Sequence, residues 1–454
     1  MYDRIRRDER GYALNLRSNS RISRPSYVGG VLSNAHIAAR DPAYRARFLG
    51  DVHLDAFDPR MLAYAFEILY ARNSSARDAD GRTYEDFPVQ IRWNELTEFH
   101  RRALIGDFSP QPFRCVKVEK PSGGFREIHI QTVLSKVVQK SIQLLLQPIL
   151  EATFRPFALA YRKGKSIHDA LLRLALSVRY RGAVHFCCDD VRDAFGSVPI
   201  SRLRHILRRY LINEPLVERM LGLSAMGGAR GIVTGGVVSP DLLNLFLHHV
   251  VDRLVRLLDI DAVLRYSDDF AFFGATIGHV ARLRHEAVVR LQPQGMHFQV
   301  AKPRIIDLRE SEAEYLGFKV AVRNEELMIR LTRERWKKLR NRLGDCHCVP
   351  NAPLAIREVV TGWLVAAGPA CGPKVAGSTA KKVREHVRSC GYGELFAEME
   401  IERVLNAEYS KWEARLEAFA RSYEHDLHRR FEHVSRRSGL EAKSRSESTS
   451  ELGF

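Results

Sequence analysis

Apolar positions first recur at helical spacing in "DPRMLAYAFEILYARN", where Leu62, Phe66, Leu69 and Tyr70 fall on one side of a predicted helix. A second helix is predicted in "WNELTEFHRRALIGDF", ended by Gly106. Between them "NSSARDADGRTYEDF" is polar, with an Asp-Gly turn signal. "FRCVKVEKPSGGFREIHIQ" alternates on either side of Pro-Ser-Gly-Gly, a hairpin pattern. A long helix then runs from about Val133 to Glu151, with Val137, Ile142, Leu145, Leu146 and Ile149 as its apolar face. "GAVHFCCDDVRDAFGSV" reads as a strand, a turn and a helix, and "GGVVSPDLLNLFLHHVVDRLVRLL" as a Gly-rich loop opening a long helix. "AVLRYSDDFAFFG" predicts two strands turning near Asp268 and Asp269. A helix to about Leu291 follows Gly274, and then strands in "HFQVAKPRIIDL" and "AEYLGFKVAV". Residues 1–55 show weak periodicity and read as an extension; 328–430 are helix-rich and basic; the Ser-rich tail 431–454 is predicted to be disordered.

Length and charge narrow the function classes. A chain of 454 residues exceeds one typical core, so two or three domains or subdomains are expected. No stretch reaches the roughly 18 apolar residues of a membrane span, and the charged start "MYDRIRRDERGY" does not resemble a secretory signal. Seven cysteines form no disulfide framework at this length, which points to a reducing cytoplasm. Lys and Arg number 71 against 54 Asp and Glu, a formal charge of +17 that favours a polyanionic partner, foremost nucleic acid, over a membrane surface.

Against that basic background the acids stand out. Asp268 and Asp269 are adjacent and flanked by apolar runs, where like charges are costly without a counterion. Asp190, with Asp189 before it and Asp193 after it, ends another apolar run. Two strand ends carrying carboxylates can converge in one sheet, and hard oxygen clusters hold hydrated divalent cations. Two such ions can clamp the attacking and leaving oxygens of a phosphoryl transfer. "CHC" at 346–348, with Cys371, His386 and Cys390, has no standard zinc spacing and reads as isolated thiols.

At these residues the chain resembles reverse transcriptases, particularly the bacterial group II intron-like branch. "RYSDDF" is similar to the family's Tyr-x-Asp-Asp hairpin and "DDVRDAFGSV" to the strand bearing its first metal-binding Asp. "GIVTGGVVSPDLLNLFL" resembles the loop and helix that hold template and nucleotide, "QVAKPR" the segment bearing a Lys near the triphosphate, and "EYLGFKV" the primer grip. "ARNSSARDADGRTYEDF", "VEKPSGGFREIHI", "VVQKSIQLLLQPILEATF" and "YRKGKSIHDA" match earlier segments in order, so the likeness is collinear over roughly residues 60–320. "REVVTGWLVAAG" looks like a thumb segment, and no endonuclease signature follows it.

The resemblance implies an α+β right-hand polymerase: fingers and palm built on antiparallel sheet backed by helices, and an α-helical thumb. The implied division is an extension at 1–55, fingers at 56–180, palm at 181–325, thumb at 326–430 and a tail at 431–454. It implies RNA-directed DNA polymerisation on a primer 3′-OH with two Mg²⁺ ions, Mn²⁺ being a possible substitute, in a retroelement or an antiviral defence system. Partners would be an RNA template, DNA product, dNTPs and a cognate structured RNA. A maturase-like splicing protein and a template-independent nucleotidyl transferase are the alternatives.

By the same resemblance Asp190 and Asp268 would ligate metal, with Asp269 supporting and the Val191 backbone facing the triphosphate within the metal set. Phe195 would be the steric gate against a ribose 2′-OH. Lys120 and Arg126 would flank the triphosphate, Thr234 and Gly235 would lie beside the incoming nucleotide, and Lys302 would give a proton to the pyrophosphate. Arg162, Tyr266, Leu316 and Gly317 would contact nucleic acid. The chain departs from the family at Val233-Thr234-Gly235 where Pro-Gln-Gly is usual, at Ser267, and at Ser135-Lys136 in place of Asp-Arg.

Overall fold

The computed structural model describes residues 26–73, 77–105, 107, 113–119, 125–253, 262–299, 304–349 and 351–421, and near the N-terminus a short strand pair, 5–7 with 14–16. The chain divides into two compact units. One comprises 1–170, 187–273 and 277–305; the other comprises 171–186, 274–276 and 306–454.

In the first unit, the stretch expected as an extension forms two helices, α1 (Ser26–Arg40) and α2 (Pro42–Phe57). Asp41 starts α2 by accepting the amides of Ala43 and Tyr44, ahead of a proline at its first turn. With α3 (Pro59–Asn73) they pack on α5 (Val133–Thr153). The apolar face read from sequence is the face α5 buries: Val137, Ile142, Leu145, Leu146 and Ile149 are each at most 3% exposed. Thr132 caps α5 through the Ser135 amide at 3.1 Å, and the fully buried Asp78 takes the Val133 amide at 2.8 Å. Asp78 also accepts from Asp80 and Arg82, each at 2.8 Å, around a turn that needs positive φ at Gly81. The polar loop "DADGR" is thus the N-terminal cap of the long helix.

Helix α4 (Val89–Leu104) ends at Ile105. The alternating segment forms the expected hairpin, β1 (Arg114–Glu119) and β2 (Phe125–Ile130), in register from Arg114↔Ile130 to Glu119↔Phe125. Helix α6 (Ile167–Arg181) carries the chain into the second unit, and β3 (His185–Asp190) brings it back. After β3 come α7 (Ala194–Ser197), α8 (Ile200–Leu211), α9 (Glu214–Ser224) and α10 (Ser239–Leu247). Helix α10 continues as a π-helical turn, His248–Asp252. The hairpin β4 (Val263–Tyr266) and β5 (Asp269–Gly274) lies beside β3 in the order β4-β5-β3, with α11 (Ile277–Leu291) following.

In the second unit, β6 (Ile306–Asp307) pairs with Phe186 and His185. Here "AEYLGFKVAV" is a tight hairpin, β7 (Ala313–Tyr315) and β8 (Phe318–Arg323), extended by β9 (Glu326–Leu331). Its turn residues, Leu316 and Gly317, have φ of 49° and 80°, the paired positive values of a type I′ turn. The helix-rich region therefore starts after Leu331 rather than at 328. Helices α12 (Arg333–Asp345), α13 (Ala352–Ala367), α14 (Pro373–Ser389) and a helix over 398–421 bury Leu339, Ile356, Val360, Val383 and Ile401. The predicted disorder of 431–454 lies outside the described residues. Among the described residues no helix is long and apolar enough to cross a membrane.

Candidate active site

Strand alternation sorts the first acidic pair. Successive side chains point to opposite faces, so Asp189 and Asp190 cannot share one site. Asp189 is 5% exposed, and Arg284 of α11 donates to it from Nε at 3.0 Å. Asp190 is exposed on the other face, and its carbonyl accepts the Gln299 amide at 2.8 Å. Asp193 leaves the face altogether: with φ 43° and ψ 53° it starts α7, its carboxylate lying where a Cβ on Gly196 would be.

The second pair sits on a two-residue turn. Tyr266 faces Asp269 in register, leaving Ser267 and Asp268 as the loop, and Ser267 takes φ 65°. The Val191 amide donates to the Asp268 carbonyl at 3.2 Å, fastening the end of β3 to the hairpin tip. Asp269 is half-buried, and its carboxyl is pushed up to about 7, first by burial and then by the negative charges of Asp268 and Asp190. The acids of the two strand ends, expected to converge, therefore share one electrostatic field.

Below that tip lies a fully buried cation that sequence reasoning passed over. Arg265, in the same motif, donates to Asp252 from Nε at 3.0 Å and from a terminal nitrogen at 2.6 Å, both residues being 0% exposed. Its other terminal nitrogen reaches Asn244 Oδ1 at 2.8 Å and the Ser267 carbonyl at 2.9 Å. Asn244 in turn donates to the Ala160 carbonyl at 2.8 Å, so the motif, α10 and the loop after α5 are locked together. Only the hint that an Arg inside an apolar strand needs a buried acid could have revealed it.

The remaining candidates separate clearly. Val191 is buried, while Phe195 on α7 is only half-buried and so is not a core ring; its carbonyl takes the Ile232 amide at 2.9 Å. The Gly-rich loop meets the β1–β2 hairpin: the Thr234 carbonyl accepts the His129 amide at 2.8 Å. Gly235 has φ 99°, and a Cβ there would lie 3.3 Å from the His129 carbonyl oxygen. Three glutamines brace this loop: Gln139 accepts the Val238 amide at 3.3 Å and donates to Gln131 at 2.7 Å, and Gln143 donates to the Val237 carbonyl at 3.2 Å. Tyr266 is half-buried, its phenol pKa raised first by burial.

Arg162 departs from expectation. It is 5% exposed, bound to the Glu151 carboxylate at 2.9 and 2.7 Å, with another nitrogen 2.5 Å from the Arg155 and Ala158 carbonyls. These acceptors hold it as an internal brace instead of presenting it to a template. Arg126 pairs with Val118 in the hairpin backbone, and Leu316 and Gly317 form the β7–β8 turn of the second unit. Lys120 and Lys302 lie outside the described residues.

As metal donors, Asp190, Asp268 and Asp269 offer hard carboxylate oxygens in a field with surplus negative charge, which fits hydrated Mg²⁺ or Mn²⁺. Among the described residues, the three aspartates stand further apart than the 4.8 Å mutual spacing of a different set, Cys115, Glu127 and His129, on the β1–β2 hairpin. Among the described residues of the second unit, the thiols and histidines do not gather to that spacing.

Residues 118–320 match the family described as reverse transcriptase (RNA-dependent DNA polymerase). Similar curated proteins include the group II intron-encoded protein LtrA of Lactococcus lactis subsp. cremoris, 26% identical over 165 residues, 33% of this chain and 26% of that one. The protein YkfC of Escherichia coli K12 is 24% identical over 224 residues, 46% of this chain and 58% of that one. An uncharacterized 91 kDa protein in a cob intron of Schizosaccharomyces pombe is 27% identical over 160 residues, 33% of this chain and 20% of that one. The matched regions span from 20% to 58% of the length of these relatives.

Proposed function

Since residues 118–320 carry a reverse transcriptase domain with group II intron-encoded proteins among its relatives, we propose that the chain is an RNA-directed DNA polymerase extending a primer 3′-OH with dNTPs. The observation that carries this reading is the convergence of Asp190, Asp268 and Asp269 in one field, with Val191 hydrogen-bonded to the hairpin tip at 3.2 Å.

Asp190 and Asp268 would hold the divalent ions, with Asp269 behind them. When bound, such ions lower the pKa of the attacking hydroxyl and neutralise the leaving pyrophosphate. The chain's own residues do the rest. The Val191 amide holds the Asp268 carbonyl; Phe195, half-buried, would be the ring against which a 2′-OH clashes. Thr234 and Gly235 would seat the incoming base against the hairpin, Lys120 and Arg126 would bind the triphosphate, and Lys302 would hold a proton for the pyrophosphate. Tyr266 and the Leu316–Gly317 turn would meet the primer, and the surplus of 71 basic over 54 acidic residues suits an RNA–DNA duplex. The test is Asp268→Ala on poly-rA/oligo-dT. Incorporation should fall by roughly 10³-fold or more, as for loss of a group that stabilises only the transition state, while RNA affinity stays within about twofold. Retained incorporation would remove the polymerase reading.

A further inference from the structure

A second site is built where α8 and the π-helical turn face the end of α5. It is a cavity of about 360 Å³ lined by Thr153, Arg155, Arg209, Tyr210, His248, His249 and Arg253. That lining holds three guanidinium groups and no carboxylate. The nearest acid in sequence, Asp252, is spent on Arg265. His248 is 3% exposed, and its Nδ1 is buried with no hydrogen-bond partner among the described residues; His249 Nε2 is likewise buried and unpartnered. Both histidines line the cavity, and each keeps one buried ring nitrogen without a partner among the described residues, so this corner of the fold is short of acceptors for its cations. Burial, reinforced for His249 by Arg253, Arg209, Arg202 and His205, lowers both imidazoles to about 4. They therefore stand neutral near pH 7, each able to offer one N–H. The π turn brings consecutive histidines to the same cavity, and π turns recur at functional sites.

We propose that this cavity binds a phosphate-bearing ligand, with Arg155, Arg209 and Arg253 meeting its negative oxygens and the neutral His248 and His249 forming the wall behind them. Planar guanidinium groups match phosphate in pairs, and a cavity of about 360 Å³ is nucleotide-sized rather than ion-sized. None of its lining residues is a candidate for the aspartate centre, so the proposal stands whether or not the polymerase reading does. The sources of such a phosphate are a free polyphosphate and a nucleic-acid backbone.

The experiment titrates inorganic pyrophosphate, and separately a short single-stranded RNA, into the full chain by calorimetry in EDTA, where the aspartates hold no cation. The comparison is with R209E/R253E, two surface positions whose replacement leaves the core intact; matching thermal unfolding checks this. Pyrophosphate binding that weakens roughly tenfold or more in the double variant, and not in Asp268→Ala, supports the site with a free polyphosphate. Loss confined to the RNA arm supports it with backbone phosphate as the source. Affinities unchanged in both arms overturn it. Should R209E/R253E unfold early, R155Q is the substitute variant, read in the same way.

Discussion

One short hairpin carries two buried charges treated in opposite ways. Arg265 on β4 is 0% exposed and fully matched, with Asp252, Asn244 and a carbonyl occupying its donors. Asp269 on β5 is half-buried, and the charges that act on it most after burial are other acids, Asp268 and Asp190. The neighbouring strand repeats the contrast, Asp189 being closed by Arg284 while Asp190 faces outward. A charge that is matched holds the backbone; a charge left in surplus is kept for something that is not protein. The matched layer lies behind the surplus one, so the geometry of the acids depends on it.

That dependence is where the largest effect is expected. Arg265→Met strands Asp252 without its cation, and removing one partner of a buried pair costs about 3–5 kcal/mol. Urea unfolding measures it. The double replacement Arg265→Met/Asp252→Leu should recover most of that loss, because a well-packed apolar pair avoids desolvating either charge. If the single variant unfolds like wild type, the pair is not holding the hairpin.

The surplus charge should behave with the opposite sign. In EDTA at pH 8, Asp269→Asn removes an ionised carboxylate from a field that raises its pKa to about 7. Stability should rise by up to about 4 kcal/mol, following the differential interaction per pKa unit over the rise from 3.8 to about 7. Saturating Mg²⁺ should shrink the difference, since a bound cation compensates the wild-type charge. A variant less stable than wild type in EDTA would mean that Asp269 has a favourable partner, and the contrast would fail.

How far this was legible follows from what kind of signal each feature leaves. The β1–β2 hairpin, α5 and the two-strand reading around Asp268 and Asp269 came through because alternation and helical spacing are local. Helices α1 and α2 did not, their small buried residues such as Ala35, Ala38 and Ala56 giving only a faint stripe. Alternation alone could have separated Asp189 from Asp190, but not said which one Arg284, 95 residues later, would neutralise. Arg162 in "YRKGKS" is expected at nucleic acid from the resemblance, because nothing nearby announces that the loop folds over it. The cavity arginines come from three distant segments and converge only through packing.

The cationic cavity gives a third treatment of charge, and pH tests it. His248 and His249 fall to about 4 in the folded chain against a usual value near 6.5 when unfolded. Between those values the unfolded state binds more protons, so stability must fall as pH drops from about 6.5 towards 4 and level off below. His248→Gln should remove up to about 3 kcal/mol of that loss, seen as a shallower slope of unfolding free energy against pH. A variant slope equal to wild type would show that this imidazole is not held neutral by its surroundings.

The smallest effect belongs to the turn between the two charges. Ser267 is 6% exposed, sits at φ 65°, and buries a hydroxyl oxygen that has no hydrogen-bond partner among the described residues. Replacing it with glycine would relieve the backbone but also loosen the unfolded chain, two changes that nearly cancel. Ser267→Ala keeps the backbone penalty and removes only the unmet hydroxyl, whose burial costs about 1 kcal/mol. The variant should therefore gain roughly 0.5–1 kcal/mol in urea, with Arg265 still bound to the carbonyl of residue 267. If stability drops instead, the hydroxyl has a partner that forms in solution, and the hairpin tip owes its shape to more than the matched charge beneath it.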